Sequence, residues 1–545
     1  MRKVILALIA MLFPVTTISA GQVKIKIEKQ YLNFPVCQGI DGGNMKISGN
    51  GVDEWPFHIK LADGTTDYWV FRDVSGYKGK TLTITFDGDR QGLGQIYQDD
   101  KIAGADDLYR ETNRPQVHFT PKVGWHNDPN GMLYYDGEYH LFFQHNPYER
   151  EWNNMHWGHA VSRDLIHWEE LPEALFPDSL GTIFSGSAVM DFKNTAGFNK
   201  DGKIAMLAYY TQNGRDRQVQ SMSYSLDKGR TWTIYDKNPL IDSKETWNNV
   251  NTRDPKVFWF EPGKHWVLVV NERDGQSIYN SLDGKEWKYE SHTEGFWECP
   301  ELFELAVDGN PSNKKWVMYG ASGTYMIGSF DGRKFTPELG KFYYQKGNIY
   351  AAQTFTDAPD GRRIQIGWCT IDNPGMRFKS MMSVPTLLTL RTTPNGIRLF
   401  SEPVKEFDML KQDVRTYSDL TPAQANEILA SYPTNEPLYV KFKWTMFEAT
   451  GASLALNGQN LLNYDMNHNT ANGVPFTVSA IASMKMCGEV ILDRTAAEVF
   501  LDSGALSLTV QRNLADENKD GLRFGGSLTK IDKLEISPLS SIWNK

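Results

Sequence analysis

The sequence predicts an all-β protein with a small β accessory domain, a five-bladed β-propeller and a C-terminal β-sandwich. Three observations predict it. Short strand-like segments between glycine turns fill residues 24–105. A Ser-x-Asp turn followed by an aromatic residue then occurs four times at near-regular spacing. After residue 406 this repeat stops and alternating strands follow. The predicted domains are therefore 21–110, 111–406 and 407–545.

The chain opens with a charged, then apolar, then small-residue segment. Arg2 and Lys3 precede an apolar stretch from Val4 to Val15, and small residues lead to Ala20. This order is typical of a cleaved signal peptide over residues 1–20, because the apolar stretch is too short to span a bilayer. No later segment has the length and apolarity of a membrane span. We expect an exported protein without membrane insertion.

The accessory domain is predicted from strands of period two. Apolar side chains occupy alternate positions at Trp55, Phe57, Ile59 and Leu61. Residues Thr81–Phe86 read as another strand, closed by an Asp-Gly turn. The charged segment Asp106–Gln116 has no hydrophobic period, and we expect it to be a linker.

The propeller is predicted from the repeated turn. Its aspartates are Asp164, Asp227, Asp283 and Asp331, at intervals of 63, 56 and 48 residues. These intervals approach the length of one four-stranded propeller blade, and the region accommodates about five blades. The sandwich is predicted from strands such as Leu438–Trp444, after a short helix near Thr421–Leu429.

Charge and composition exclude several classes of protein. The chain of 545 residues carries 57 basic and 66 acidic side chains, a formal charge of −9, which argues against nucleic acid as the main partner. Six of the eleven histidines lie between His126 and His167, but none has the spacing of a metal site. We expect no metal, no cofactor and no obligate protein partner. The four scattered cysteines favour free thiols over disulfides.

Three acidic residues lie beside proline or cysteine: Asp128 in Trp125-His-Asn-Asp-Pro, Asp254 in Arg253-Asp-Pro and Glu298 in Trp-Glu-Cys-Pro. Rigid turns hold a side chain at a fixed angle, as a catalytic carboxylate requires, although Asp-Pro is also an ordinary turn sequence. Two facing carboxylates can hydrolyse a glycosidic bond with retention. The more apolar neighbours of Glu298 suit the acid/base, while Asn127 and Asn130 could keep Asp128 ionised as the nucleophile.

Four motifs in this order resemble glycoside hydrolase family 32, which includes invertases, inulinases and levanases: Trp125–Gly131, Phe184–Ser187, Arg253–Pro255 and Glu298–Pro300. The resemblance covers about residues 115–545. It implies a five-bladed propeller followed by a β-sandwich. His145 departs from the family, where tyrosine is common, and we expect it to alter the pocket wall.

The resemblance also implies roles for individual residues. Asp128 would be the nucleophile, Glu298 the acid/base and Asp254 the stabiliser of the transition state. The implied substrate contacts are Asn127, Gln144, Trp152, Phe184, Ser185, Arg253 and Trp368.

The implied activity is retaining hydrolysis of β-fructofuranosidic linkages in levan or inulin, exo-acting and releasing fructose, with sucrose as a further candidate. Fructan or fructo-oligosaccharide would be its substrate partner. Endo-levanase or endo-inulinase action and fructosyl transfer on the same scaffold stay open, as does a non-catalytic sugar-binding propeller. The N-terminal region resembles extensions in fructan-degrading enzymes of Bacteroidota. Together with the signal peptide, this predicts a periplasmic location, with secretion as the alternative.

Overall fold

The computed structural model describes residues 18–19, 21–88, 91–446, 451–476, 484–514 and 520–543. Strands dominate these residues, and the α-helices among them are Ser243–Trp247 and Pro422–Ala430. No described helix is long and apolar enough to cross a membrane. Apart from Ile18–Ser19, the predicted signal peptide lies outside the described residues. The chain divides into two compact units, 1–107 with 147–149 and 108–146 with 150–545.

The first unit contains two antiparallel sheets. The six-stranded sheet consists of Ile18–Ser19, Gln22–Lys26, Thr81–Phe86, Gly43–Gly49, Val52–Asp53 and Phe57–Ile59. The three-stranded sheet consists of Tyr68–Asp73, Tyr31–Val36 and Tyr97–Asp99. The predicted alternation at 55–61 holds for Phe57, Ile59 and Leu61, which are buried, but fails for Trp55, which is 44% exposed. Trp55 lies before the strand begins, so the pleat does not turn it inward.

The second unit begins with five successive antiparallel groups of four strands, which we interpret as propeller blades. The first group is Gly124–Tyr135, Glu138–Asn146, His156–Ser162 and Trp168–Leu175. The second is Thr182–Met190, Met206–Asn213, Gln218–Ser225 and Thr233–Ile234. The third is Thr252–Phe260, His265–Glu272, Gly275–Ser281 and Lys288–Glu294. The fourth is Glu301–Val307, Asn310–Tyr319, Thr324–Phe330 and Phe335–Tyr343. The fifth is Ile349–Thr354, Arg363–Cys369, Thr386–Thr393 and Gly396–Pro403.

The repeated Ser-x-Asp turn joins the third and fourth strands in each of the first four groups. In the first turn, the Ser162 hydroxyl and the backbone N–H groups of Ile166 and His167 donate hydrogen bonds to the Asp164 carboxylate. Asp283 accepts equivalent bonds from Ser281 and the next backbone amides. The aspartate therefore fixes the turn, which explains its recurrence.

The first and fifth groups are hydrogen-bonded to each other, which closes the ring. The Tyr134 N–H donates to the Thr356 carbonyl at 2.9 Å, and the Thr356 N–H donates to the Met132 carbonyl at 3.0 Å. The short strand Phe378–Lys379 also pairs in parallel with Gly124–Trp125.

Two further sheets follow the propeller. The seven-stranded sheet has the order Gln345–Gly347, Leu506–Gln511, Ala496–Leu501, Lys485–Leu492, Leu438–Met446, Leu528–Pro538 and Arg415–Leu420. The five-stranded sheet has the order Val474–Pro475, Thr470–Ala471, Gln459–Asp465, Ala452–Leu456 and Leu522–Gly526. Buried side chains such as Trp444, Leu454 and Phe524 form one core. The all-β class with a propeller and a sandwich is confirmed. The domain boundary at residues 406/407 stays a prediction.

The helix predicted near Thr421–Leu429 is present as Pro422–Ala430, with a capping box between Thr421 and Gln424. The linker prediction is wrong at its C-terminal end. Arg114 and Gln116 are buried, and the Gln116 N–H donates to the Asp493 carboxylate at 2.8 Å. All four cysteines are unpaired, as predicted.

Candidate functional site

The innermost strands of four blades each carry a register irregularity at the candidate site residues. The shifts lie between His126 and Pro129, Ile183 and Gly186, Arg253 and Lys256, and Tyr350 and Gln353. A β-bulge bends its strand and re-aims the side chains at the irregularity. Asp128, Ser185 and Asp254 therefore turn toward a common pocket. In regular strands, successive side chains would instead point to opposite faces of the sheet.

Two side-chain donors lie within 3.0 Å of the Asp128 carboxylate. The Ser185 hydroxyl donates to its Oδ2 at 2.6 Å, and the Asn127 amide donates to its Oδ1 at 3.0 Å. Burial raises the pKa of Asp128, and these two hydrogen bonds oppose the rise. The predicted contact from Asn130 is wrong, because its Nδ2 donates to no described residue, while its Oδ1 accepts from the Gly186 N–H. Asp128 thus accepts hydrogen bonds that favour its carboxylate form.

Asp254 is buried beside Cys299. The Cys299 N–H donates to Asp254 Oδ2 at 3.0 Å, and the Cys299 Sγ lies 3.6 Å from Oδ2 of both Asp254 and Asp128. Burial, and then the negative charge of Asp128, raise the pKa of Asp254 to about 7. Burial also raises the pKa of the Cys299 thiol. A protonated thiol can therefore lie between two carboxyl groups.

Glu298 lies among polar groups. The Arg253 guanidinium donates to its Oε1 from Nε at 3.0 Å and from Nη2 at 2.8 Å. The Tyr350 hydroxyl donates to its Oε2 at 2.6 Å. The apolar setting predicted for Glu298 is therefore wrong, and its neighbour Trp297 is 44% exposed beneath the Arg253 guanidinium.

Backbone strain is concentrated at these residues. Asp254, Glu298, Cys299 and Ala351 have φ values of 68°, 52°, 40° and 50°. Non-glycine residues seldom adopt positive φ, and such residues cluster where function outweighs local stability. Hydrogen bonds hold the strained segment, including Glu298 N–H to Asn271 Oδ1 at 2.9 Å and Ala351 N–H to the Ala321 carbonyl at 3.0 Å.

One cavity of 430 Å³ brings all ten predicted site residues together. They are Asn127, Asp128, Gln144, Trp152, Phe184, Ser185, Arg253, Asp254, Glu298 and Trp368. We call this cavity the catalytic pocket. His145 does not line it, contrary to the predicted effect on the pocket wall. Its buried ring lies 2.8 Å from Glu173 and 2.9 Å from the Val123 carbonyl.

Sequence reasoning did not assign three further lining residues: Asn213, Gln218 and Tyr350. Tyr350 had a signal, since it begins a segment typical of late propeller strands. Asn213 and Gln218 lie opposite each other on one hairpin, and Gln218 accepts from Arg253 Nη1 at 3.2 Å. No motif marks this hairpin. Among the described residues, no cluster of three or more His, Cys, Asp or Glu side chains could hold a metal ion.

The family model of the Glycosyl hydrolases family 32 N-terminal domain matches residues 118–403. The chain belongs to glycoside hydrolase family 32. It is therefore a glycoside hydrolase, and the predicted family is confirmed.

Other family 32 proteins match over most of the chain. The levanase of Bacillus subtilis (strain 168) is 38% identical over 490 residues, covering 80% of this chain and 72% of the levanase. The extracellular exo-inulinase inuE of Aspergillus niger (strain ATCC MYA-4892 / CBS 513.88 / FGSC A1513) is 33% identical, covering 80% of this chain and 96% of that protein. The crystal structure of exo-inulinase from Aspergillus awamori superimposes with a TM-score of 0.69 at 30% identity, covering 80% of this chain and 100% of that chain.

The raised pKa of Asp254 predicts that the Asp254→Asn variant is more stable than the wild type, by an amount that depends on pH. An unfolded chain releases this proton near pH ~4, whereas the folded chain keeps it up to about pH 7. The wild type therefore loses stability as pH rises from about 4 to about 7, and then changes no further from this group. We expect the melting temperature of Asp254→Asn to exceed that of wild type increasingly over this interval.

Differential scanning calorimetry between pH 4 and pH 8 measures this difference. The control is Asp136→Asn. In the wild type, Asp136 lies on a surface hairpin, and its exposed carboxylate pairs with Lys228. Its difference from wild type should stay nearly constant. Parallel melting curves for wild type and Asp254→Asn would contradict the prediction.

Proposed function

We propose that this family 32 hydrolase cleaves β-fructofuranosidic linkages of levan or inulin from the chain end, with retention, and releases fructose. The observation that carries the proposal is the convergence of Asp128, Asp254 and Glu298 in one aromatic-walled pocket. The matches to a levanase and to exo-inulinases support fructan as the substrate.

In the first step, a carboxylate oxygen of Asp128 attacks the anomeric carbon of the terminal fructosyl unit. The bond from that carbon to the leaving oxygen breaks, and the proton of the Glu298 carboxylic acid passes to this oxygen. The product is a fructosyl ester of Asp128. The Tyr350 hydroxyl and the Arg253 guanidinium, which contact Glu298, hold its carboxyl group in place.

In the second step, Glu298 takes a proton from water, which attacks the same anomeric carbon and releases Asp128. Two inversions at one carbon give net retention. Among the described residues, the Cys299 thiol is the one side-chain donor to Asp254, and its contact is to Oδ2, so Oδ1 is available to sugar hydroxyls. Hydrogen bonds to hydroxyls that strengthen in the transition state lower the barrier.

Exo action is supported by the shape of the pocket. Trp152, 55% exposed, packs edge-to-face on Phe184 at 5.8 Å, and Trp368 packs similarly on Trp125 at 5.9 Å. Trp152, Phe184 and Trp368 line the catalytic pocket, a recess of 430 Å³. A recess of this kind accepts a chain end more readily than a continuous polymer.

Chromatography of the earliest products from levan and from inulin tests this proposal. We expect free fructose alone from both polymers, since each event removes one terminal unit. A ladder of oligosaccharides would overturn exo action, and lengthened products from sucrose would show fructosyl transfer. No sugar release from either polymer would overturn fructan as the substrate of this hydrolase. An Asp128→Asn preparation purified in the same way should release almost no sugar, which controls for contaminating activity.

We further propose that the protein acts after export, most simply in the periplasm. The apolar N-terminal segment with Arg2 and Lys3 supports this, as do the extracellular exo-inulinases among the matched proteins. Cell fractionation with an antibody to the chain tests the location.

A further inference from the structure

A second cavity, of 760 Å³, lies at the far ends of the strands that build the catalytic pocket. On strand Thr252–Phe260, Asp254 lies near the start and lines the catalytic pocket, whereas Phe258 and Phe260 near the end line the second cavity. The two cavities share no lining residue. We call this second cavity the distal cavity and define it by Phe192, Phe258, Trp259, Trp316, Asp357 and Arg363.

The wall of the distal cavity is aromatic. Phe192 is 55% exposed, and Phe258, Trp259 and Trp316 are half-buried. The rings of Phe258 and Trp316 lie 5.9 Å apart at a tilt of 36°. Exposed aromatic surface in a concave site marks binding of a ligand with flat apolar faces. The C–H faces of sugar rings are such surfaces.

Two polar side chains of the distal cavity keep hydrogen-bonding capacity. The exposed Asp357 carboxylate makes no hydrogen bond with any described residue. Arg363 donates from Nη1 to the Thr354 hydroxyl at 3.2 Å and to the Phe355 carbonyl at 3.3 Å. A guanidinium has five N–H donors, so others remain for a ligand. Asp357 can accept hydrogen bonds from the hydroxyl groups of a carbohydrate, and Arg363 can donate hydrogen bonds to them.

The charges around the distal cavity balance, which favours an uncharged ligand. Lys193 pairs with Glu261 at 3.2 Å, and Lys314 pairs with Glu304 at 2.9 Å. Arg363 lies close enough to Asp357 for their charges to interact. A phosphate or a polyanion would find no free positive charge among these pairs, whereas a neutral polyhydroxylated molecule needs none.

The distal cavity is not a continuation of the catalytic pocket. Midway between Asp254 and Phe258, the buried Lys256 forms an ion pair with Glu301 at 2.8 Å. It also donates to the Thr354 carbonyl at 2.9 Å. A ligand in the distal cavity is therefore held separately from the bond that is cleaved.

We propose that the distal cavity is a second carbohydrate site that binds a fructan segment away from the cleavage site. Its chemistry repeats that of the catalytic pocket, where Arg253 and Asp254 lie among aromatic walls. The choice of fructan rests on the proposed function. The aromatic and polar chemistry of the cavity stands independently of it.

Titration calorimetry with an inulin oligosaccharide tests the site in the Asp128→Asn background, which prevents hydrolysis. We expect two sites per chain in this parent and one after adding Phe192→Ala and Asp357→Asn. The control is Trp55→Ala, which removes an exposed aromatic ring from the first unit and should keep two sites. One site in the parent, or unchanged binding in the distal double variant, would overturn the proposal.

A second measurement separates this proposal from the proposed function. In the active enzyme, Phe192→Ala with Asp357→Asn should leave hydrolysis of a fructan trisaccharide unchanged and raise KM for the polymer roughly threefold to tenfold. Equal KM values for the polymer would overturn a role in fructan binding. If the wild type hydrolyses no fructan, the proposed function fails. Two-site binding of a cellulose oligosaccharide by the Asp128→Asn parent would then identify a carbohydrate site with another ligand.

Discussion

Asp128→Asn should lose nearly all fructose release, with kcat lower by roughly 10⁴- to 10⁶-fold, as for removal of a covalent nucleophile in other hydrolases. The amide is nearly isosteric but carries no negative charge to attack the anomeric carbon. Arg253 and Trp368, which we propose contact the substrate, still line the pocket, so we expect KM to change little. Fructose release from inulin over long incubations measures the residual rate.

Two comparisons make this experiment specific. Glu298→Gln removes the group that donates a proton in the first step and accepts one in the second, and general acid–base catalysis contributes about 10²- to 10⁴-fold, so its loss should be smaller. Asp136→Asn makes the same chemical change on a surface hairpin and should keep full activity. Comparable rates for Asp128→Asn and wild type would rule out Asp128 as the nucleophile.

Lys256→Ala should destabilise the second unit by about 3–5 kcal/mol, because it removes the cationic partner of the buried Glu301 side chain. The side chains of Lys256 and Glu301 are only 5% and 0% exposed. Burial lowers the pKa of Lys256, and the Glu301 carboxylate opposes this effect. The free energy of unfolding, followed by tryptophan fluorescence in urea, measures the loss.

The chain offers a matched control for this ion pair. Lys314 and Glu304 lie 2.9 Å apart, close to the 2.8 Å of the buried pair, but are 46% and 38% exposed. Exposed pairs contribute about 0–1 kcal/mol, so Lys314→Ala should have little effect. Equal losses of unfolding free energy in Lys256→Ala and Lys314→Ala would show that burial does not determine the cost of removing the lysine.

Local sequence predicted the parts of the fold that local chemistry determines. The Ser162 and Asp164 side chains bond within their own turn, so the motif and the structure coincide. The capping box at Thr421 is similarly local. The catalytic pocket was predicted because its residues lie in short proline-bearing motifs that resemble a known family.

Contacts between distant residues escaped prediction. Gln116 was assigned to a linker because its acceptor, Asp493, lies 377 residues away. The polar setting of Glu298 depends on Arg253 and Tyr350, which different blades supply. Flanking apolar residues therefore gave the wrong environment for this carboxyl group. Asn213 and Gln218 enter the pocket only because their hairpin ends beside it.

The delivery of the three carboxyl groups by the first blade, the third blade and the connection from the third to the fourth ties the assembly of the pocket to the closure of the ring. Asp128, Asp254 and Glu298 belong to separate segments of the chain, and hydrogen bonds at Thr356 hold the first and last blades together. No isolated blade contains a competent site. The pocket forms only when these segments are brought together, so we expect enzymatic activity to report the assembly of the propeller during folding.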